Sequence, residues 1–376
     1  MNHKYQMTLA RRLVVSCLAL LSFCLTVVGQ EERPFRSLTY HVAMSRPASH
    51  LFEVTMEVER AKESNAKSLD FQMPKWSPGR YAVFDFAKNV QEFRAFGGIC
   101  PQVNLKCLLP DFPVTRVDDQ TWRVETKNTH SLTVRYKVFG NDLSGTFSQL
   151  DPRHATINGH SVFMYVVDHK PDPVTLVIDP PPHWRIVNGR MDQNLGRGQR
   201  EWKFYNYDIM VDTPTEIAPD WTEDQFQVDG KRYYVIIHSF GDEGGKRPAL
   251  VRDIEKIVRA ETAMWGAPEF DAYTFLIHFA ADDESGDGME HLTSTQIIEP
   301  GALAEAGATR ARIGDRFDPA AGRTLNGMAF MDRAAHSDHG STFALRDDAD
   351  PDQFGRDVDR YSLMASDGWL VLRFAG

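Results

Sequence analysis

Residues 38–224 read as a succession of short apolar–polar alternations broken by turn residues, with no helical stretch between them. Phe52, Val54, Met56 and Val58 alternate with Glu53, Thr55 and Glu57, and Leu132, Val134, Tyr136 and Val138 repeat the pattern. A period of two places every second side chain on one face, which is what a half-buried strand requires. Residues 39–43, 122–125, 162–167, 174–178 and 201–205 are further strand candidates. Between them stand Pro78-Gly79, Gly140-Asn141 and Pro180-Pro181-Pro182, all turn formers. Many short strands without intervening helices predict an antiparallel β-sandwich over residues 30–224.

The pattern changes after Phe226. A strand over 233–237 leads through a Gly-rich loop into a helix whose Leu250, Ile254, Ile257, Val258 and Trp265 share one face, with Gly266 and Pro268 ending it. A buried strand over 273–279, an acidic loop over 282–287 and an extended run over 293–299 follow. Residues 225–300 therefore predict the opening of an α+β domain. Residues 301–376 contain no lysine and show little periodicity. A subdomain, a flexible tail and out-of-frame coding sequence all fit that stretch.

The first 29 residues carry Lys4, Arg11 and Arg12 ahead of an uncharged apolar run from Leu13 to Val28. That run is short of the roughly 20 residues a membrane span needs. It reads as a secretion signal, with an uncleaved anchor as the alternative, and predicts a periplasmic or secreted protein. No second apolar stretch could cross a membrane, and a net charge of −10 argues against nucleic acid as a partner. Two of the four cysteines fall in the signal. Cys100 and Cys107 can close a local disulfide in an oxidising compartment or stand as free thiols, and the residues leave both open.

Few side chains point to chemistry by their spacing. Glu290, in Gly288-Met289-Glu290-His291 before the run over 293–299, is an ionised, acceptor-only group at the mouth of a strand. It suits a cationic partner or a solvated loop equally well. Asp283, Ser285, Asp287 and Gly288 fall at the first, third, fifth and sixth places of a calcium loop, but Ser294 stands where the bidentate glutamate belongs. His336 and His339 are three apart without a catalytic glutamate. Nucleophile elbows, phosphate loops and dinucleotide fingerprints are absent from the sequence.

Three stretches together resemble the glycyl aminopeptidase family of gluzincin metallopeptidases, whose members commonly carry a PDZ domain. Met73-Pro74-Lys75-Trp76-Ser77-Pro78-Gly79-Arg80-Tyr81, with Phe86-Ala87-Lys88-Asn89-Val90, is similar to the signature of the family's N-terminal domain. Tyr207-Asp208 with Asp212-Thr213-Pro214-Thr215-Glu216 resembles its interdomain link, and Asp287-Gly288-Met289-Glu290-His291-Leu292-Thr293-Ser294-Thr295 its Gly-Gly-Leu-Glu-His motif. The resemblance implies a thermolysin-like fold over residues 225–300 and a sheet edge that takes peptides with a free N-terminus as an added strand. Glu290 would pair with the α-ammonium, with Gly288, Met289 and His291 beside it. Asp287 replaces the family's first glycine and is expected to add negative charge at that place.

Intact members of the family use zinc, held by His-Glu-x-x-His and a downstream glutamate. None of the 13 histidines opens that pattern, so neither catalytic residues, metal ligands nor a cofactor are assigned within the chain. The expected function is that of a truncated or degenerate exported homologue of a zinc metallo-aminopeptidase. Two other expectations are a non-catalytic peptide- or partner-binding module and a metalloenzyme whose ligands come from the tail.

Overall fold

A computed structural model describes residues 35–60, 66–80, 82–99, 110–126, 129–190, 199–280 and 286–304. Two further antiparallel pairs follow, Phe317–Asp318 with Arg323–Thr324 and Ala329–Met331 with Thr342–Ala344. The secretion signal, Cys100, Cys107, Asp283, Ser285, His336 and His339 lie outside the described residues. The protein is mainly β, with several antiparallel and mixed sheets and few helices.

The described residues open with β1 (Ser37–Ala43), β2 (Leu51–Glu59), β3 (Ser68–Gln72), β4 (Val90–Gly97), β5 (Val114–Arg116), β6 (Thr121–Glu125) and β7 (Ser131–Phe139). It continues with β8 (Gln149–Leu150), β9 (Ala155–Ile157), β10 (Tyr165–Val166), β11 (Val174–Asp179), β12 (Arg185–Asn188) and β13 (Glu201–Phe204). A short helix α1 (Tyr207–Val211), capped by the Asn206 side chain, leads to β14 (Thr215–Ala218). The remainder is β15 (Thr222–Val228), β16 (Lys231–Ser239), α2 (Arg247–Trp265), β17 (Ala272–Ala280), β18 (Asp287–Glu290) and β19 (Ser294–Pro300).

The two clearest alternating runs pair with each other. In the antiparallel β2–β7 ladder Phe52 lies opposite Val138, Val54 opposite Tyr136, Met56 opposite Val134 and Val58 opposite Leu132. All eight are buried, so apolar faces meet in register and fix it. These strands belong to a six-stranded sheet ordered β13-β11-β1-β2-β7-β4, which packs on a four-stranded sheet ordered β10-β3-β6-β5. Phe93 bridges the layers, stacking on Trp122 at 5.4 Å and lying 6.3 Å from Tyr136. The expected antiparallel sandwich needs one correction, because β1 and β11 pair in parallel. The long excursion between them supplies the crossover that a parallel pair demands.

Residues 162–167 do not form the expected long strand; only Tyr165–Val166 pairs. The backbone before it bonds elsewhere. Tyr136 donates to the carbonyl of Val162 (3.1 Å) and accepts from the N–H of Met164 (2.9 Å). Tyr40 and Tyr207 donate to the carbonyls of Met164 (2.8 Å) and Phe163 (2.6 Å). Burial raises the pKa of all three phenols and keeps them protonated as donors.

A small sheet ordered β12-β14-β9-β8 lies between this core and a five-stranded sheet ordered β15-β16-β17-β19-β18. Strands β16, β17 and β19 are parallel, and every residue of β17 is buried. One face of the sheet, with Tyr233, Val235, Tyr273 and Phe275, packs on Ile254, Ile257 and Val258 of α2. The other, with Tyr234, Ile236 and Leu276, packs on Val187 and Ala218 of the small sheet. Trp265, expected on the buried face of the helix, is 38% exposed, since α2 runs on beyond its last buried side chain, Thr262. Gly266, at φ +87°, ends the helix as expected.

Replacing Tyr136 by Phe keeps the ring and strands the Val162 carbonyl and Met164 N–H. The expected loss is about 1–3 kcal/mol of unfolding free energy by urea denaturation, with the far-UV circular dichroism unchanged.

Candidate functional site

Ser77-Pro78-Gly79-Arg80 forms a tight turn, with the Arg80 N–H donating to the Ser77 carbonyl at 3.1 Å and Gly79 at φ +73°. Proline before a positive-φ glycine is the arrangement that a type II turn requires. This turn meets the strand that carries Glu290. A Cβ on Gly79 would stand 2.6 Å from Met289 Sδ and 2.9 Å from Glu290 Oε1, so a larger residue would push both side chains aside besides straining the positive φ. Strand β18 is the last of its sheet, antiparallel to β19, with Glu290 opposite Thr295. Met289 is buried, whereas Gly288 has no described atom within 4 Å of where a Cβ would stand.

Asp287 does not add an uncompensated charge at this place. The Arg80 guanidinium donates to both its oxygens at 2.5 Å, and the N–H groups of Gly145 and Gly288 each donate to it at 2.8 Å. Both side chains of the ion pair are about one-fifth exposed, which screens them little. These bonds engage Asp287 in holding the turn against the strand rather than in a calcium loop. His291, at the other end of the motif, is buried and donates from Nδ1 to Asp212 Oδ1 at 3.0 Å. The Leu292 N–H donates to the second oxygen of Asp212 at 2.8 Å. His291 thus anchors the strand end to the interdomain link, and the three stretches that carry the resemblance meet around β18.

A second convergence was not legible in the sequence. His154 precedes β9, Glu216 lies in β14, and His238 and His278 are register partners in β16 and β17. All four are buried, and one ligand atom from each lies within 4.8 Å of the others. The Nδ1 atoms of His154, His238 and His278 stand 3.3, 2.7 and 3.6 Å from a single oxygen, Glu216 Oε1. Thr156 donates to the other oxygen, Oε2, at 2.5 Å.

Burial pushes the Glu216 carboxyl up, but the surrounding imidazoles outweigh it and hold the group well below the usual carboxylate range. For His238, burial favours the neutral ring, yet Glu216 and Asp220 together raise its pKa. For His278 burial prevails and lowers the pKa to about 4, so that ring is neutral near pH 7. The four residues are scattered over four segments, so no spacing rule finds them. The one sequence signal is a histidine set inside the apolar run of β17.

Comparison with known proteins agrees with the fold. Residues 39–219, just under half the chain, match the Peptidase M61 N-terminal domain. The structure is similar to an aminopeptidase N family protein from Idiomarina loihiensis, with a TM-score of 0.60 and 23% identity over 70% of this chain and 42% of that one. It is also similar to an M1 zinc metallopeptidase from Deinococcus radiodurans, with a TM-score of 0.38 and 12% identity over 74% of this chain and 62% of that one. A mutant of that peptidase bound to a Tyr-Ser-Ala substrate gives a TM-score of 0.41 and 12% identity, over 74% and 63% of the two chains. This chain therefore spans less than two thirds of each of those structures. No curated protein matches it.

The contact of the turn with β18 is sensitive to a single methyl group. Gly79→Ala is expected to lower unfolding free energy by about 1–3 kcal/mol, from strain at positive φ and the clash with Met289. Gly288→Ala is expected to stay within about 0.5 kcal/mol of the parent, since nothing described crowds that position. Parallel urea titrations of the two variants check the contrast.

Proposed function

We propose that the protein binds peptides with a free N-terminus along the edge of β18, as an exported, glycyl aminopeptidase-like protein. The single observation that carries this reading is the place of Glu290, a half-buried carboxylate on the terminal strand of a sheet, with open space beside Gly288. A peptide added to that edge would bond through its main chain, and its α-ammonium would meet Glu290. Charge-assisted hydrogen bonds of this kind are among the stronger ones a protein makes. Arg80 neutralises Asp287, so the charge proposed to select a cation is that of Glu290. The M61 match over residues 39–219 supports the peptidase-like character. In this reading residues 30–224 are the N-terminal domain and 225–300 the start of a thermolysin-like one.

The residues of the chain do not fit the family's zinc centre. No His-Glu-x-x-His occurs among the 376 residues, so no hydrolytic step is derived from them. What they supply to the reading is recognition of a chain end, not cleavage.

Binding of a free-amine tripeptide and its N-acetylated counterpart, measured by calorimetry, tests the proposal. The free form is expected to bind roughly ten- to a hundredfold tighter, from about 1.5–3 kcal/mol for a hydrogen bond to a charged group. Glu290→Gln should erase the difference, and Gly288→Ala should weaken both peptides. Equal binding of the two peptides by the parent protein would reject the reading.

A further inference from the structure

We propose that His154, Glu216, His238 and His278 form a closed site for a divalent transition metal of the zinc type, joining the small sheet to the five-stranded sheet. The site shares no residue with Gly288, Met289, Glu290 and His291, and its test does not depend on what that edge binds.

Geometry carries the assignment first. Three imidazole nitrogens surround Glu216 Oε1 at 3.3, 2.7 and 3.6 Å. Donors of a tetrahedral zinc ion, bonded at about 2.0–2.1 Å, stand about 3.3 Å from one another. The three imidazole-to-carboxylate separations thus lie near that value, and all four donors lie within 4.8 Å of one another.

Buried polar atoms carry it further. His154 Nε2 lies 2.8 Å from Gln149 Oε1, and its Nδ1 faces Glu216 Oε1 at 3.3 Å. His278 gives the sharper sign. It is buried, and neither of its ring nitrogens has a hydrogen-bond partner. A neutral imidazole in that condition forgoes both of its bonds unless a ligand takes its one nitrogen lone pair.

The surroundings are those of a metal site. His154 is held from behind by Gln149, Glu216 by Thr156, and His238 Nε2 stands 3.2 Å from Asp220 Oδ1. Partners of this type orient metal-binding imidazoles and carboxylates. The Phe240 ring lies 5.3, 4.9 and 5.1 Å from the rings of His154, His238 and His278 and screens them from water. Three imidazoles and one carboxylate suit zinc and its neighbours and give too few oxygens for calcium or magnesium. Four protein donors close the coordination shell, so the ion would be structural and activate no water.

The full chain, stripped with a chelator and dialysed, is titrated with Zn²⁺ alone by calorimetry and with Co²⁺ by visible spectroscopy. One saturable equivalent is expected, with a rise in Tm on zinc addition and the absorption of four-coordinate tetrahedral Co²⁺. His278→Gln and Glu216→Gln should each weaken zinc binding by roughly a hundredfold or more, and Asp220→Asn by about tenfold. Asp220 is an exposed side chain, so that variant serves if the two buried ones do not fold. A double His336→Ala, His339→Ala variant should bind as the parent does. The proposal is overturned if the stripped parent takes up no stoichiometric zinc. It is equally overturned if the tail variant alone loses the metal, or if Asp220→Asn and a folded His278→Gln bind like the parent.

Discussion

Burial of β17 on both faces is the constraint from which the rest of the second half follows. A strand with all nine residues buried needs a cover on each side. The apolar stripe of α2 provides one, and the β12 and β14 strands provide the other. The alternation of a strand then decides the chemistry. Tyr273, Phe275 and Ile277 turn to the helix, and the residues between them turn to the small sheet. His278 falls on the second side, with His238 beside it in register, and both meet Glu216. Polar groups so placed have no water to turn to and must satisfy one another or a ligand.

The edge of the same sheet is shaped by contacts that come from far away in the chain. The turn at Gly79 lies on Met289 and Glu290, Arg80 clasps Asp287, and Asp212 holds His291 and Leu292. A four-residue strand at a sheet end would fray if left alone. Here its two ends are tied by a guanidinium and a carboxylate from different segments. The tryptophan–proline signature therefore has a mechanical role at the candidate site, although its own residues read as a turn. Asp287, which as a lone residue suggested excess negative charge, is neutral in effect because its partner sits 207 positions earlier.

What the sequence made legible was local or periodic. The runs at 52–58 and 132–138 showed their alternation, and the structure pairs them with each other. Glu290 stood out through a short motif. The departures were all non-local. Residues 162–167 have strand composition, but three tyrosine hydroxyls from β1, β7 and α1 claim the backbone before Tyr165. Trp265 keeps the helical spacing and outruns the surface it would cover. The parallel pairing of β1 with β11 depends on where a distant strand returns. The histidine–glutamate cluster is assembled from four strands or strand ends, and nothing within any one of them announces the other three.

The pairing of His238 with His278 also bears on how the sheet finds its alignment. Parallel strands carry near-continuous apolar runs, so neighbouring registers differ little in hydrophobic burial and compete during folding. A slip of one residue would turn an imidazole into the apolar layer against α2 and leave Glu216 facing a hydrocarbon. The two histidines therefore act as a key for alignment: they penalise the near-miss pairings that leucine, isoleucine and phenylalanine would tolerate. A chain that must choose one register among several nearly equal ones gains that choice from the few polar side chains it buries.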